Sequence, residues 1–144
     1  MIIEYSTYDI SLSDEELKLN IQQAKLLQPN TVSVLLPHIK IAKTLLVDSD
    51  IKLCTSIDYP LGVMDAKSRV FTIEMACKLG VNIINIVAPP HLLCNRKYDK
   101  FREDIKNNLE ICTKNNIELR YILEYRVFTY ELLYKVSQIL TEGG

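Results

Sequence analysis

The sequence predicts an α/β fold built on a parallel sheet, and three observations carry that expectation. Five short runs rich in β-branched residues alternate with five segments of helical periodicity. Strictly alternating βα units are satisfied by a parallel sheet with right-handed crossovers. No linker, low-complexity tract or shift in composition interrupts the 144 residues, so residues 1–144 read as one domain.

The elements follow in order. Met1–Tyr8 reads as a first strand. Ser13-Asp-Glu-Glu16 is a capping box, in which the serine oxygen takes the Glu16 N–H and the Glu16 carboxylate returns to the Ser13 N–H. Leu17, Ile21, Ala24 and Leu27 then recur at helical spacing, and Gln28-Pro29-Asn30 closes that helix. Thr31–Leu36 is the second strand, and Pro37 opens a helix through Ile41, Leu45 and Leu46. Ile51–Ile57 is the third strand. The third helix runs from Asp65 or Ala66 to Leu79, with Gly80 suited to a left-handed C′ position. Asn82–Ala88 is almost wholly apolar, as for a strand buried on both faces. A loop from Pro89-Pro90-His91 to about Arg96 precedes a fourth helix carrying Tyr98, Phe101, Ile105, Leu109 and Cys112 on one face. Ile117–Glu124 is the fifth strand and Thr129–Leu140 the fifth helix, with Leu132, Leu133 and Val136 as its buried edge.

Two closures fit five βα units. One is a five-stranded arc of a (β/α)8 TIM-like barrel, whose full length is about 250 residues. The other is an open doubly wound sheet, which usually carries a glycine-rich phosphate loop after its first strand. That loop is here Asp9-Ile10-Ser11-Leu12-Ser13, without glycine, and the chain has only 4 glycines. The doubly wound alternative, a small ligand-binding module, is thereby weakened.

Composition excludes several functions. A net charge of −1 gives no electrostatic basis for binding nucleic acid or an anionic membrane. The basic residues Arg96, Lys97, Lys100 and Arg102 are interleaved with acids and read as a solvated helix face. No apolar run approaches the roughly 20 residues needed to span a bilayer. Glu4 and Asp9 in the first ten residues do not suit a signal peptide. Cys54, Cys77, Cys94 and Cys112 form no C-x-x-C pair, so free thiols in a cytoplasmic protein are expected, with no metal and no cofactor.

Several motifs in fixed order resemble one enzyme family. Tyr59-Pro60-Leu61-Gly62 ends the third strand, Ala76 precedes the closing Gly80 by four, and Ile83-Ile84-Asn85-Ile86-Val87 and Leu119-Arg120-Tyr121-Ile122-Leu123-Glu124-Tyr125 follow. Over about Ile3 to Gly144 the chain is similar to the first five βα units of the deoxyribose-phosphate aldolases. That resemblance implies a class I aldolase fold. Its reaction is a lyase cleavage of 2-deoxyribose 5-phosphate to glyceraldehyde 3-phosphate and acetaldehyde, through an imine on lysine. It also implies a small phosphorylated sugar or aldehyde as ligand.

The family's site positions fall here on Asn85, Arg120 and Glu124, and two of the three are substituted. Where the family has a proton-relaying aspartate the chain has Asn85, an amide that takes up no proton near neutral pH. Arg120 stands for a lysine, and its guanidinium stays protonated, so it can pair with an anion but not attack a carbonyl. Glu124 is retained, and strand alternation puts it on one face with Arg120 and Ile122. Glu4 stands for a common aspartate, and Arg69 and Thr72 for a lysine and a glutamate. The imine lysine of the family's sixth-strand Lys-Thr-Ser-Thr-Gly motif, its partner lysine on the seventh strand and the later phosphate-holding glycines have no counterpart in these 144 residues.

Other candidates are weaker. His38 and His91 follow prolines in strand-to-helix loops and read as loop residues. Lys52, Lys67 and Lys135 are poorly placed as substitute imine lysines, two on helices and one at the wrong strand end. Cys54 and Cys77 read as packing residues. Five strands leave two open edges and an uncovered inner face, so homo-oligomerisation or association through the open sheet edges is expected. The functional expectation is an aldolase-like binding or assembly scaffold without imine catalysis of its own. The alternatives are a fragment of the active lyase, continuing beyond Gly144, and the doubly wound module.

Overall fold

A computed structural model describes residues 2–143; the terminal residues Met1 and Gly144, which the sequence places in the first strand and beyond the last helix, lie outside them. Five parallel strands form one sheet: β1 (Glu4–Thr7), β2 (Thr31–Val34), β3 (Lys52–Ile57), β4 (Ile83–Val87) and β5 (Glu118–Ile122). Their order is β1-β2-β3-β4-β5. Consecutive order without reversal is that of a barrel arc, and it excludes the doubly wound sheet.

The helices are α1 (Asp14–Leu27), α2 (Ile39–Leu46), α3 (Ala66–Leu79), α4 (Pro90–Cys94), α5 (Tyr98–Lys114) and α6 (Tyr130–Gly143). Local chemistry explains most boundaries. Ser13 caps α1 and the capping box forms, with Ser13 N–H donating to Glu16 Oε2 at 2.8 Å. Asp65 caps α3 by accepting from the N–H groups of Lys67 and Ser68. Gly80 ends it at φ 82°, donating to the carbonyls of Ala76 and Cys77. The turn of α4 corrects the expected loop after Pro89: Pro90 occupies its first turn, where a missing N–H costs nothing. Short 3₁₀ turns at Leu36–His38 and Tyr125–Val127 lead into α2 and α6.

Two cores hold the layers together. On the convex side, Leu17, Ile21, Ala42, Ile73 and Ala76 pack against Val32, Val34, Leu53, Ile84 and Ile86. A second cluster joins Leu93 of α4 and Phe101 and Ile105 of α5 to Val136 and Ile139 of α6. Among the described residues, no helix is long and apolar enough to cross a membrane.

The concave face differs from the bare apolar surface expected of an interrupted barrel. Register sets Ser33 beside Cys54, Ser56 beside Asn85, and Asn85 beside Arg120, so polar side chains line this face. Curvature is visible in the contacts. On a flat sheet β4 and β5 would stand roughly 14 and 19 Å from β1. Yet Asn85 Nδ2 donates to Glu4 Oε1 at 3.3 Å, and Arg120 Nη1 lies 3.4 Å from Glu4 Oε2. Only a tightly curled arc allows both.

Candidate functional site

In barrels of this type chemistry is done at the C-terminal ends of the strands. The site positions are therefore best judged by the end of the arc they face.

Asn85 lies in the middle of β4, 8% exposed, and its amide is engaged by Glu4. Arg120 faces the opposite end. Its Nε donates to Glu118 Oε1 at 2.7 Å and its Nη1 pairs with Glu4, the first residue of β1. Lys52, the first residue of β3, adds a contact to Glu118 at 3.8 Å. Arg120 also borders a cleft of about 740 Å³ with Asn30, Asp50 and Lys52, all at strand starts. Glu118 raises the affinity of Arg120 for its proton against a partial burial cost. The guanidinium is thus a fixed cation, tied to two carboxylates at the stability end of the arc. Glu124 follows β5 at the other end, half-buried, and the structure pairs Arg120 with Glu4 and Glu118 rather than with it.

Nearer the C-terminal mouth is a cluster that the sequence did not single out. The Tyr8 hydroxyl is hydrogen-bonded to the hydroxyls of Ser33 and, at 2.6 Å, Ser56. Its ring packs on Tyr59 at 5.1 Å between centroids. Burial pushes the Tyr8 phenol above its ordinary value, against the two serines that favour its anion. Burial also pushes the Cys54 thiol up to about 11, so it is no nucleophile near neutral pH. The signal was available in Ser33 and Ser56, small polar residues inside short strands flanked by β-branched and apolar residues.

A second missed feature lies on the helix side. Arg69 of α3 is 1% exposed and holds four acceptor contacts. Its Nε and Nη2 each donate to one oxygen of Asp104 on α5, both at 3.0 Å, and its Nη1 donates to Asp58 Oδ2 at 2.7 Å and to the Val87 carbonyl at 2.9 Å. Tyr121 of β5 donates to Asp104 at 3.0 Å and accepts from Asn108 at 2.9 Å. Asp58 in turn accepts from the N–H groups of Val63 and Met64, which shapes the Tyr-Pro-Leu-Gly turn. Burial, with the Asp104 charge adding to it, raises the Tyr121 phenol far above its usual range, so the network keeps it protonated. Gly62 completes the turn at φ 67°, where a Cβ would come within 2.8–3.0 Å of Pro90, Val87 and Ala88.

The remaining candidates stand apart. None of the lysines is buried; Lys67 is on α3, Lys135 on α6 and Lys52 at the start of β3. His91 lies exposed on α4, and His38 ends the 3₁₀ turn just before α2 with its Nδ1 buried and unpartnered. They stand on different strand-to-helix connections, and no group of three metal-ligating side chains forms among the described residues. Cys54 and Cys112 are buried, Cys77 is half-buried and Cys94 is exposed, all as free thiols.

A consecutive parallel sheet that curls as this one does is a partial (β/α)-barrel arc. Comparison with known proteins narrows the class. The chain is 29% identical over 124 residues to the deoxyribose-phosphate aldolase of Staphylococcus carnosus, covering 86% of this chain and 56% of that protein. It is 25% identical over 142 residues to the deoxyribose-phosphate aldolase of Metamycoplasma hominis, covering 99% and 64%. Among solved structures, the aldolase QR15 superposes with a TM-score of 0.91 at 23% identity, over 99% of this chain and 62% of that one. No model of a known protein family matches the chain. In sequence and in fold the chain resembles the deoxyribose-phosphate aldolase family, and it spans 56–64% of the length of the two curated relatives above.

Proposed function

We propose that residues 1–144 form a single aldolase-like domain that works as a binding or assembly scaffold and supplies no imine chemistry of its own. The observation that carries this reading is the state of the concave face. Asn85 is bound to Glu4, Arg120 is neutralised by Glu4 and Glu118 at the strand starts, and no lysine is buried. An imine-forming amine must be neutral often enough to attack a carbonyl, which requires desolvation or a neighbouring cation. An exposed lysine has neither the burial nor the position. Association through the open edges at β1 and β5 fits this role, and four free thiols suit a cytoplasmic setting.

The relatives' names favour a second reading, in which these residues are part of a lyase acting on 2-deoxyribose 5-phosphate, with the reactive lysine supplied from outside them. Borohydride reduction in the presence of 2-deoxyribose 5-phosphate, followed by peptide mass spectrometry, tests the scaffold reading within residues 1–144, and trapping on a lysine outside them, in a longer chain, would support the second. The scaffold reading expects unmodified lysines throughout residues 1–144. A stable adduct on Lys52, Lys67, Lys135 or any other lysine of the chain overturns it.

A further inference from the structure

A cleft of about 440 Å³ opens between α4, the turn into α5 and the first two turns of α6, and no strand residue lines it. That volume is within the roughly 300–1,000 Å³ of small-molecule clefts. Its apolar side is Leu93, which is fully buried, and half-buried Leu132, flanked by the rings of Tyr98 and Tyr134. Both walls are fixed by backbone bonds. Arg96 holds a left-handed backbone at φ 52°, its N–H donating to the Leu93 carbonyl at 2.9 Å, and the Lys97 N–H donates to the Leu92 carbonyl at 2.8 Å. Opposite them, Thr129 caps α6 by accepting from the Leu132 N–H at 3.2 Å.

Charge decides what the cleft can hold. Arg96, Lys135 and Glu131 line it, and among the described residues none of the three side chains makes a hydrogen bond or ion pair. Other cations nearby are engaged: Arg102 pairs with Asp99 and Glu142, and Lys114 with Glu110. Lys97, exposed beside Arg96, adds to the positive side, and Asp99 is already taken by Arg102. Two cations against one carboxylate leave the lining positive. Lys135 is half-buried, so its ammonium gives up part of its water without gaining a counter-ion. A bound anion would supply one, and an arginine beside a lysine suits a carboxylate. Glu131, one turn before Lys135 on α6, opposes a second negative charge. The leucines and tyrosines suit an aromatic or branched apolar body.

We propose that this cleft binds a small monocarboxylate with an aromatic or branched aliphatic body, held by Arg96 and Lys135, with Glu131 selecting against dianions. It uses no residue of the concave face, so it stands independently of the scaffold reading. Cys94, an exposed free thiol, also lines the cleft and reports its occupancy. Iodoacetamide alkylation of the 144-residue chain at pH 8, read by peptide mass spectrometry, is timed with phenylacetate, phenyl phosphate or benzyl alcohol up to about 20 mM. Phenylacetate should slow Cys94 alkylation by about threefold or more with a saturable millimolar midpoint, phenyl phosphate more weakly, and benzyl alcohol not at all. Arg96→Gln and Lys135→Gln should each raise that midpoint about threefold, and Glu131→Gln should lower it about twofold, in variants whose circular dichroism matches the native chain. Opposite signs from Glu131 and Lys135, one turn apart, are not what a disturbed fold would give. A Cys94 rate that phenylacetate leaves unchanged overturns the proposal. So does protection that benzyl alcohol matches, which would make the cleft an apolar crevice without anion preference. Protection indifferent to all three substitutions overturns it too, since the anion would then sit elsewhere.

Discussion

Arg69 and Arg120 each sit between two carboxylates, yet the two sites hold their charges in different ways. On the helix side of the sheet, Arg69, Asp58 and Asp104 have side chains only 2%, 3% and 7% exposed. On the concave side, Arg120, Glu4 and Glu118 are 33%, 25% and 46% exposed. Water screens the second group and is excluded from the first. Similar partners therefore do different jobs: the sealed group ties α3, α5 and the ends of β3 and β4 into one body, while the open group trims the charge of a wet surface. Arg120, one of the positions the family resemblance singles out, falls in the open group.

That contrast can be broken by mutation. Arg69→Ala leaves two buried carboxylates without their cation and should cost about 3–5 kcal/mol in denaturant unfolding, a large share of the stability of a domain this size. A loss below 1 kcal/mol would mean that the sealed network does not organise the fold. Gly62→Ala forces a side chain into a left-handed turn already in contact with β4, and about 2–4 kcal/mol should be lost on the same measurement.

A pH titration probes burial on both sides of the sheet. The Cys54 and Cys112 thiols are raised from 9.0 to about 11 and about 12, chiefly by burial. Between the unfolded and folded values the native state holds more protons than the unfolded one. Their contribution to stability is therefore complete below about pH 9 and falls as pH rises toward 11–12. Thiol alkylation at pH 8 should label exposed Cys94 first and these two only after unfolding. Equal labelling of all four would show that the core is open. The smallest effect belongs to the concave side: Arg120→Ala should cost less than about 1 kcal/mol, and the cost should shrink further in high salt. A salt-insensitive loss of several kcal/mol would erase the distinction between the two arginines.

How much of this was legible in the sequence follows the range of each interaction. The α1 capping box, the Gly80 cap and the alternation of elements are written in neighbouring residues, and they stand where the sequence puts them. The order of the strands was narrowed to an arc by resemblance and by the glycine-free first loop. The turn of α4 was hidden because five residues are too few to show a helical period, and Pro89-Pro90 reads as a break. The burial and partners of Arg69 were hidden for another reason. A charged residue on a helix reads as surface, and its partners Asp58 and Asp104 lie 11 and 35 positions away. The shared partner of Asn85 and Arg120, Glu4, is 81 and 116 residues distant, and only the curl of the sheet brings it to them.

The reach of Arg69 bears on how such a chain can be recombined. Its side chain links the turn after β3, the end of β4 and the helix that follows β4, while Gly62 rests on the residues that leave β4. Barrels of this architecture are often pictured as strings of interchangeable βα modules. Here the third and fourth modules share one buried charge system, so neither can be exchanged with a relative without the other. The heritable block is the pair, Lys52 to Lys114, and a chimaera cut between Leu79 and Ile83 would separate a cation from one of its two anions.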